Sequence, residues 1–481
     1  MNLKAQAVSG VKWTTLSSVV NAVLQLAQLM ILARYLEQTD FGIIAILMVV
    51  IGFSQIFVDF GLSKAIIYHQ NVTHRQLSTL YWLNILLGFF IFSVIYVSSD
   101  FIADFYNEPL LSGYIILIST AVVLQAFGQQ FRVLFQKELK FMIISKIDIV
   151  AAIVSFVAAV TFVLNGFGVL SLIYPVIIMA FIKTILLVYF GLEEHKPQFV
   201  FKINEVRSFI SFGGYTVGNG MVSTIATQID VILIGKLLGT ETLGLYSVLK
   251  ELLLRPAQII NPIITKVAFP TMSKVNNDIA RVKKIYLKLI NYISSINFPI
   301  YIATMILAPE VIVIFLGEKW LEGVFVFQIL ALWAMVRSIG NPIGSLVMAM
   351  GKPQYEMYWN LGLAILMPFV VYISSLWGIR GIAIGNVMAK MVLYIPSWYF
   401  LVYKLSGATL KEYFSSSLIA LAISFITGLF VYFLIKFIPD TLFIKVSISL
   451  IVGVSLIYIL NKFYNKDFFN IMLSLVGRHG R

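Results

Sequence analysis

The sequence contains no cysteine, only four histidines and few charges: 12% of its 481 residues are Asp, Glu, Lys or Arg. Without cysteine there are no disulfides, no thiol chemistry and no thiolate ligands for a metal. His69, His74, His195 and His479 are scattered without metal-ligand spacing, so no metal site is expected. An ATP-binding loop is missing too. The Gly-Lys pairs at 235–236 and 351–352 lack the P-loop spacing and its following Ser or Thr. Gly213, Gly214, Gly218 and Gly220 sit inside an apolar run with no preceding strand, which points to close helix packing and not to a phosphate loop. Long polar stretches are also absent. No segment could fold as a soluble module, so the net charge of +13 does not indicate a nucleic-acid partner.

Hydrophobic residues fill that space, at 60% of the chain. Runs of about 20 apolar residues recur along it, each long enough to cross a hydrocarbon core of ~30 Å. The expected fold class is an all-α polytopic membrane protein of about fourteen spans. The first six are Trp13–Ala33, Phe41–Leu62, Leu77–Val97, Tyr114–Phe135, Ile147–Leu164 and Val169–Phe190. The next six are Phe209–Ile234, Leu243–Ile264, Tyr286–Leu307, Val324–Met348, Met357–Trp377 and Ile382–Tyr403. Phe414–Ile435 and Ile444–Lys462 follow. The first run continues to Ala33 without a small-residue cleavage site and reads as a span, not a removed signal.

An even number of spans puts both termini on one side. With that side cytoplasmic, the inside segments hold 24 Lys and Arg and the outside loops six: Arg34, Lys236, Lys319, Arg380, Lys436 and Lys445. Basic residues concentrate in cytoplasmic loops, so cytoplasmic termini are expected. The basic loop Lys266–Lys288 then faces anionic lipid headgroups. Trp13, Trp82, Trp320, Trp359 and Trp377 fall near span ends, as interfacial anchors do.

The chain repeats itself at a shift of 202 residues. ARYLEQTDFG from Ala33 falls on GKLLGTETLG from Gly235. In the spans before these turns, Thr14, Ser17, Asn21, Gln25 and Gln28 match Thr216, Asn219, Ser223, Thr227 and Asp230, with identical steps of 3, 4, 4 and 3. Such steps keep residues on one helix face, giving each half a polar stripe through the membrane. Six spans separate the copies, so both halves share an orientation and a pseudo-two-fold axis along the membrane normal is expected, one of the layouts of secondary transporters. The expected division is residues 1–200 and 201–405 as two six-helix bundles, then 406–481 with two further spans and a tail.

Charges inside spans are the functional signal, because each costs about 2.5–3.5 kcal/mol to insert at mid-bilayer. Lys183, Lys250, Arg255, Arg337 and Lys390 stand against Asp59, Asp230 and Glu251. Asp59 lies near a span end and reads as a cap. Glu251 and Arg255 sit at i, i+4 and can pair; Asp230 and Lys250 fall at similar depth in one hairpin and could pair as well. Asp230 replaces Gln28 of the first copy, and Lys250, Glu251 and Arg255 replace Met48, Val49 and Phe53, so charge chemistry is expected mainly on the second bundle. Pro256, Pro262, Pro299, Pro342 and Pro368 are expected to kink their helices.

ARYLEQTDFG, its echo KLLGTETLGLYSV, DFGLSKAIIYHQ from Asp59 and QFRVLFQKELKF from Gln130 resemble bacterial polysaccharide exporters. These are the Wzx-type (O-antigen) flippases, in the branch with colanic and teichuronic acid exporters, and the resemblance covers essentially the whole chain. It implies the multidrug/oligosaccharidyl-lipid/polysaccharide (MOP) exporter fold, with an extra C-terminal helix pair as in lipid II flippases. It also implies translocation of undecaprenyl-diphosphate-linked oligosaccharide from the cytoplasmic to the outer leaflet of the bacterial inner membrane, by alternating access. Implied partners are that substrate, membrane lipids, a polysaccharide polymerase and glycosyltransferases. For such an anionic substrate, the candidate binding residues are Arg255, Arg337, Lys390 and Lys250, with Asn21, Gln25, Gln28, Asn219 and Thr227 from the polar stripes; guanidinium offers bidentate recognition of phosphate. Asp230 and Glu251 are the candidate coupling sites for H⁺ or Na⁺, and no other cofactor is expected. Two other readings fit less well. A multidrug or cation antiporter favours an acidic cavity, whereas these spans are net basic. A membrane glycan polymerase needs a sizeable outside loop, and these loops are short.

Overall fold

A computed structural model describes residues 3–59, 66, 72–439 and 441–477. His69, His479 and most of the segment from Asp59 to Gln70, with the capping role expected of the Asp59 side chain, lie outside the described residues.

Among the described residues every regular element is helical. The main α-helices in order are α1 (Leu3–Tyr35), α2 (Gln38–Asp59), α3 (His74–Tyr106), α4 (Leu110–Lys137), α5 (Phe141–Leu164), α6 (Leu170–Glu194) and α7 (Arg207–Ser273). There follow α8 (Ile279–Ile306), α9 (Ala308–Phe315), α10 (Val324–Ile339), α11 (Ile343–Ala349), α12 (Gln354–Ser375) and α13 (Gly378–Ser397). The last are α14 (Leu410–Ile435), α15 (Leu442–Tyr464) and α16 (Lys466–Gly477).

Thirteen helical segments among the described residues are long and apolar enough to cross a membrane. One of them, Thr216–Pro262 within α7, has 47 residues, over twice the ~20 that a crossing needs. It is broken at Gly239, whose φ of 87° and ψ of 171° only a residue without Cβ takes without strain. The two arms, 207–238 and 240–273, supply the seventh and eighth spans, so fourteen crossings are accounted for. The protein is a multi-pass membrane protein.

Boundaries move where polar residues hide helix from a hydropathy reading. The third span, expected to end at Val97, continues as α3 through SSDFIADFY to Tyr106. It starts at a capping box, with Thr73 accepting from the Gln76 amide and Gln76 from that of Thr73, and stops at Asn107 in the left-handed region. The tenth span is interrupted around Pro342, which separates α10 from α11. Trp320 does not serve as an interfacial anchor. It is fully buried beside Gly317, whose φ is 103°.

Contacts group the chain into two compact units, 1–247 and 248–481, with α7 passing from one into the other. The first arm of α7 therefore groups with α1–α6. In the first unit α4 is central, packed by α2, α3 and α6, while α1 lies on α5. Asn84 of α3 donates to the Ala126 carbonyl (3.0 Å) and Thr184 of α6 to that of Leu124 (2.8 Å), so α4 is held from both sides. In the second unit α8 packs against α10 and α14, and α10 and α12 against α13. The final span α15 joins this body through α14 and a Lys445–Glu310 ion pair of 2.7 Å.

The repeated turns meet within the first unit. A Cβ on Gly42 would lie 1.8 Å from the Thr240 carbonyl oxygen, and one on Gly244 would lie 1.7 Å from that of Gln38. Gln38 and Gly42 are the 202-residue counterparts of Thr240 and Gly244. The contacts are thus reciprocal, the signature of a two-fold relation between the turns. Thr240 is further fixed by donating its hydroxyl to Glu108 at 2.8 Å. We expect Gly42→Ala and Gly244→Ala each to lower stability by at least the ~1–3 kcal/mol typical of overpacking, since the obstacle is backbone. Thermal unfolding in detergent checks this; an unchanged midpoint for both would refute the tight turn contact.

His74 and His195 end on the same face of the first unit, with ring centroids 4.3 Å apart. Sequence spacing gives no hint of this pair. Burial, and secondly the charge of His74, push the His195 pKa down to about 4. The folded pKa lies below the ordinary 6.5, so the unfolded chain binds the proton first. This contribution to stability is present above about pH 6.5 and falls as pH drops towards about 4. His195→Gln should shrink the difference in unfolding midpoint between about pH 7 and about pH 5.

Candidate functional site

The charges predicted from the sequence fall into two environments. In the second unit, Trp333 is buried in α10, one helical turn before Arg337, and two cations use its ring. The Arg337 guanidinium lies 5.1 Å from the indole centroid and the Lys250 ammonium, from the second arm of α7, 5.6 Å. Lys390 of α13 lies within reach of the Arg337 charge, as does Tyr301 of α8. Two helical segments thus bring two of the four predicted basic residues onto one aromatic ring, and Lys390 joins them through the Arg337 charge. Cation–π contact offsets part of their desolvation, about 0.5–2 kcal/mol each. Arg337 is exposed and Lys250 and Lys390 are half-buried. Cations at membrane depth face a bundle interior or water and mark functional positions.

Arg255 is held by Glu251 one turn before it, the pairing its i, i+4 spacing predicts. The ion pair tempers both charges. Nearby, Asn297 of α8 donates to Asn261 at 2.9 Å, both buried.

The remaining predicted residues belong to the first unit. Asp230, 6% exposed, accepts from the Tyr246 hydroxyl (2.7 Å) and from the Val231 amide (2.9 Å). That clasp ties the two arms of α7 together beside Gly239. Asn21 donates to the Ser17 carbonyl (2.8 Å) and Thr227 to that of Ser223 (2.9 Å), local bonds that occupy part of each stripe. Asn219 has a buried carbonyl oxygen without a hydrogen-bond partner; Gln28 is half-buried and Gln25 exposed. Both stripes lie in the same unit.

Two groups escape the sequence reading. Trp333 carries no signal beyond its position four residues before Arg337. The second is an ion triad in the first unit. Asp148 of α5 takes two bonds of 2.9 Å from Arg132 of α4 and lies 3.3 Å from Lys183 of α6. Arg132 and Asp148 belong with the intramembrane charges, so the inventory of Lys183, Lys250, Arg255, Arg337 and Lys390 against Asp59, Asp230 and Glu251 is incomplete. Both are legible as such, Asp148 one residue inside the span that begins at Ile147 and Arg132 three residues inside the one that ends at Phe135; counting Arg132 with the loop cations Lys137, Lys140 and Lys146 hides it.

The family model described as "Polysaccharide biosynthesis protein" matches residues 31–325. Lipopolysaccharide biosynthesis protein WzxC of Escherichia coli K12 is 29% identical, with 89% of each chain covered. Teichuronic acid biosynthesis protein TuaB of Bacillus subtilis 168 is 32% identical, with 76% of each covered. Among solved structures, lipid II flippase MurJ in an inward closed conformation superposes with a TM-score of 0.77 at 14% identity, covering 95% of this chain and 99% of that one. An inward-facing multidrug resistance MATE transporter of the MOP superfamily gives 0.62 at 13% identity, covering 80% and 95%. The fold is that of the MOP exporters, and a match spanning more than half of the sequence establishes that the chain belongs to the polysaccharide biosynthesis protein family.

Proposed function

We propose that this protein moves a lipid-linked oligosaccharide, a repeat unit of a surface polysaccharide on an undecaprenyl diphosphate, from the cytoplasmic to the outer leaflet of a bacterial inner membrane. The observation that carries the reading is the pair of cations Lys250 and Arg337 on Trp333, with Lys390 within reach of the Arg337 charge, set at membrane depth in a chain of this family. A diphosphate or acidic sugar is the substrate feature it would hold, Arg255 is a further candidate for the same role, and the first unit's stripe residues Asn21, Gln25, Gln28, Asn219 and Thr227 are candidates for glycan contact. The lipid tail need not leave the bilayer. The relatives' names point the same way, one to lipopolysaccharide and one to teichuronic acid, and the structural neighbour is a flippase of a lipid-linked substrate.

Transport would proceed by alternating access, with both termini cytoplasmic and with Asp230 and Glu251 as candidate H⁺ or Na⁺ sites. Glycosyltransferases would supply the substrate and a polymerase would consume the product. A cation antiporter fits poorly with clustered cations.

The test is a leaflet-accessibility assay in proteoliposomes loaded with lipid-linked oligosaccharide. Protein-dependent translocation without new glycosidic bonds supports the proposal. New bonds would make it an enzyme, and no translocation of any lipid-linked glycan would refute it. Rates unchanged after collapse of ΔpH, Na⁺ gradient and membrane potential would remove the coupling roles of Asp230 and Glu251.

A further inference from the structure

A charged cavity of about 550 Å³ lies in the second unit where α8 and α14 begin and α15 gives way to α16. Lys284, Lys288, Ser416, Ile419, Tyr464 and Lys466 are among its lining residues. All three long helices are membrane spans and all three meet the cavity at the same end, so it sits at headgroup depth. The distribution of basic residues assigns that end to the cytoplasmic leaflet.

The charges in it do not cancel. Its two carboxylates are each engaged by a lysine: Asp467 by Lys288 at 3.0 Å, and Glu412 by Lys283 at 2.9 Å, from the adjoining turn. Lys284 and Lys466, both exposed, have no carboxylate partner among the described residues. Two cations thus line one side, while Ile419, over two turns into α14, extends the wall towards acyl-chain depth.

The wall carrying Lys466 is built, not loose. Asn465 is buried and donates to Ser295 at 2.9 Å. Phe468 and Phe469 are buried against Tyr292 and Tyr458, with centroids 6.3 and 5.1 Å apart. Helix α16 is therefore docked through one apolar face, as an interfacial amphipathic helix is.

We propose that this cavity binds the headgroup of an anionic phospholipid of the cytoplasmic leaflet. Lys284 and Lys466 hold the phosphodiester, and the acyl chains run down past Ile419. The site is separate from the Trp333 cluster, and the proposal does not depend on the transported substrate.

The test uses the full chain, purified and delipidated in detergent, titrated with short-chain phosphatidylglycerol and read by native mass spectrometry. Phosphatidylcholine of the same chain length and inorganic phosphate serve as comparison ligands. We expect retention of phosphatidylglycerol over phosphatidylcholine, and weak competition by phosphate. Each lysine near a lipid surface contributes about fivefold, so Lys284→Ala with Lys466→Ala should weaken phosphatidylglycerol binding roughly 30-fold. Lys284→Arg with Lys466→Arg should retain it. Should the alanine variant fail to fold, the wild-type protein decides: high salt must weaken phosphatidylglycerol retention and leave phosphatidylcholine unchanged. Equal binding of the two lipids, salt-independent retention, or phosphate competing as strongly as phosphatidylglycerol would overturn the proposal, the last by making this an anion site without lipid.

Discussion

Asp148→Asn will lower the stability of this protein by about 3–5 kcal/mol, the usual cost of removing one partner from a buried ion pair. The carboxylate stands between two cations: Arg132 bonds both its oxygens and Lys183 approaches one of them at 3.3 Å. Its side chain is 12% exposed, and those of the cations 28% and 29%, so water can replace little of what is lost. Three helices, α4, α5 and α6, contribute one member each, and the variant leaves two like charges facing each other among them. Lys183→Met should cost much less, because the bidentate Arg132–Asp148 pair survives it. Adding Lys183→Met to Asp148→Asn should recover part of the loss by removing one uncompensated charge. Thermal unfolding in detergent of all three variants checks the order. An Asp148→Asn protein as stable as the wild type would show that water already screens the triad.

Arg337→Ala, in contrast, should leave the fold intact and reduce transport about 30-fold or more, the equivalent of roughly 2 kcal/mol or more for loss of a charge contact that substrate binding desolvates. Arg337 is exposed, so its removal opens no core cavity. Arg337→Lys should fall between, because an ammonium keeps the charge and loses the bidentate fork. Trp333→Ala removes the ring beneath both Arg337 and Lys250 and should resemble Arg337→Ala in transport, with added loss of stability from truncating a buried indole. Arg255→Ala should be milder, since Glu251 already balances that guanidinium. Initial rates in the leaflet-accessibility assay, at matched protein per liposome, separate these. Normal transport by Arg337→Ala would detach the Trp333 cluster from substrate binding.

The two variants also divide what a linear reading reaches. Arg337, Lys390 and Lys250 are visible because a charge in an apolar run is costly wherever the helix packs. The meeting of Lys250 with Arg337 on Trp333, and of Lys390 with the Arg337 charge, is not visible, since 53 residues or more separate Arg337 from Lys390 and from Lys250. Glu251–Arg255 is a local pair and follows from helical spacing alone. Asp230 pairs with Tyr246 because the break at Gly239 folds one arm of α7 back beside the other, which the fourfold and threefold steps of its stripe do not encode.

The sequence by itself determined the membrane class, the fourteen crossings and the internal repeat. These depend on hydropathy and on residue spacing, which are properties of the linear chain: an apolar run of sufficient length has no better place than the bilayer, and a helix fixes which residues share a face. Only the tertiary structure decided which charges meet. Asp148 with Arg132 and Lys183, Lys250 with Arg337 on Trp333, and the reciprocal contact of Gly42 and Gly244 all join separate helices. In a membrane, where helix faces differ little in hydrophobicity, such pairings are selected by close packing and by the need of buried polar groups for partners, and neither can be read before the helices are brought together.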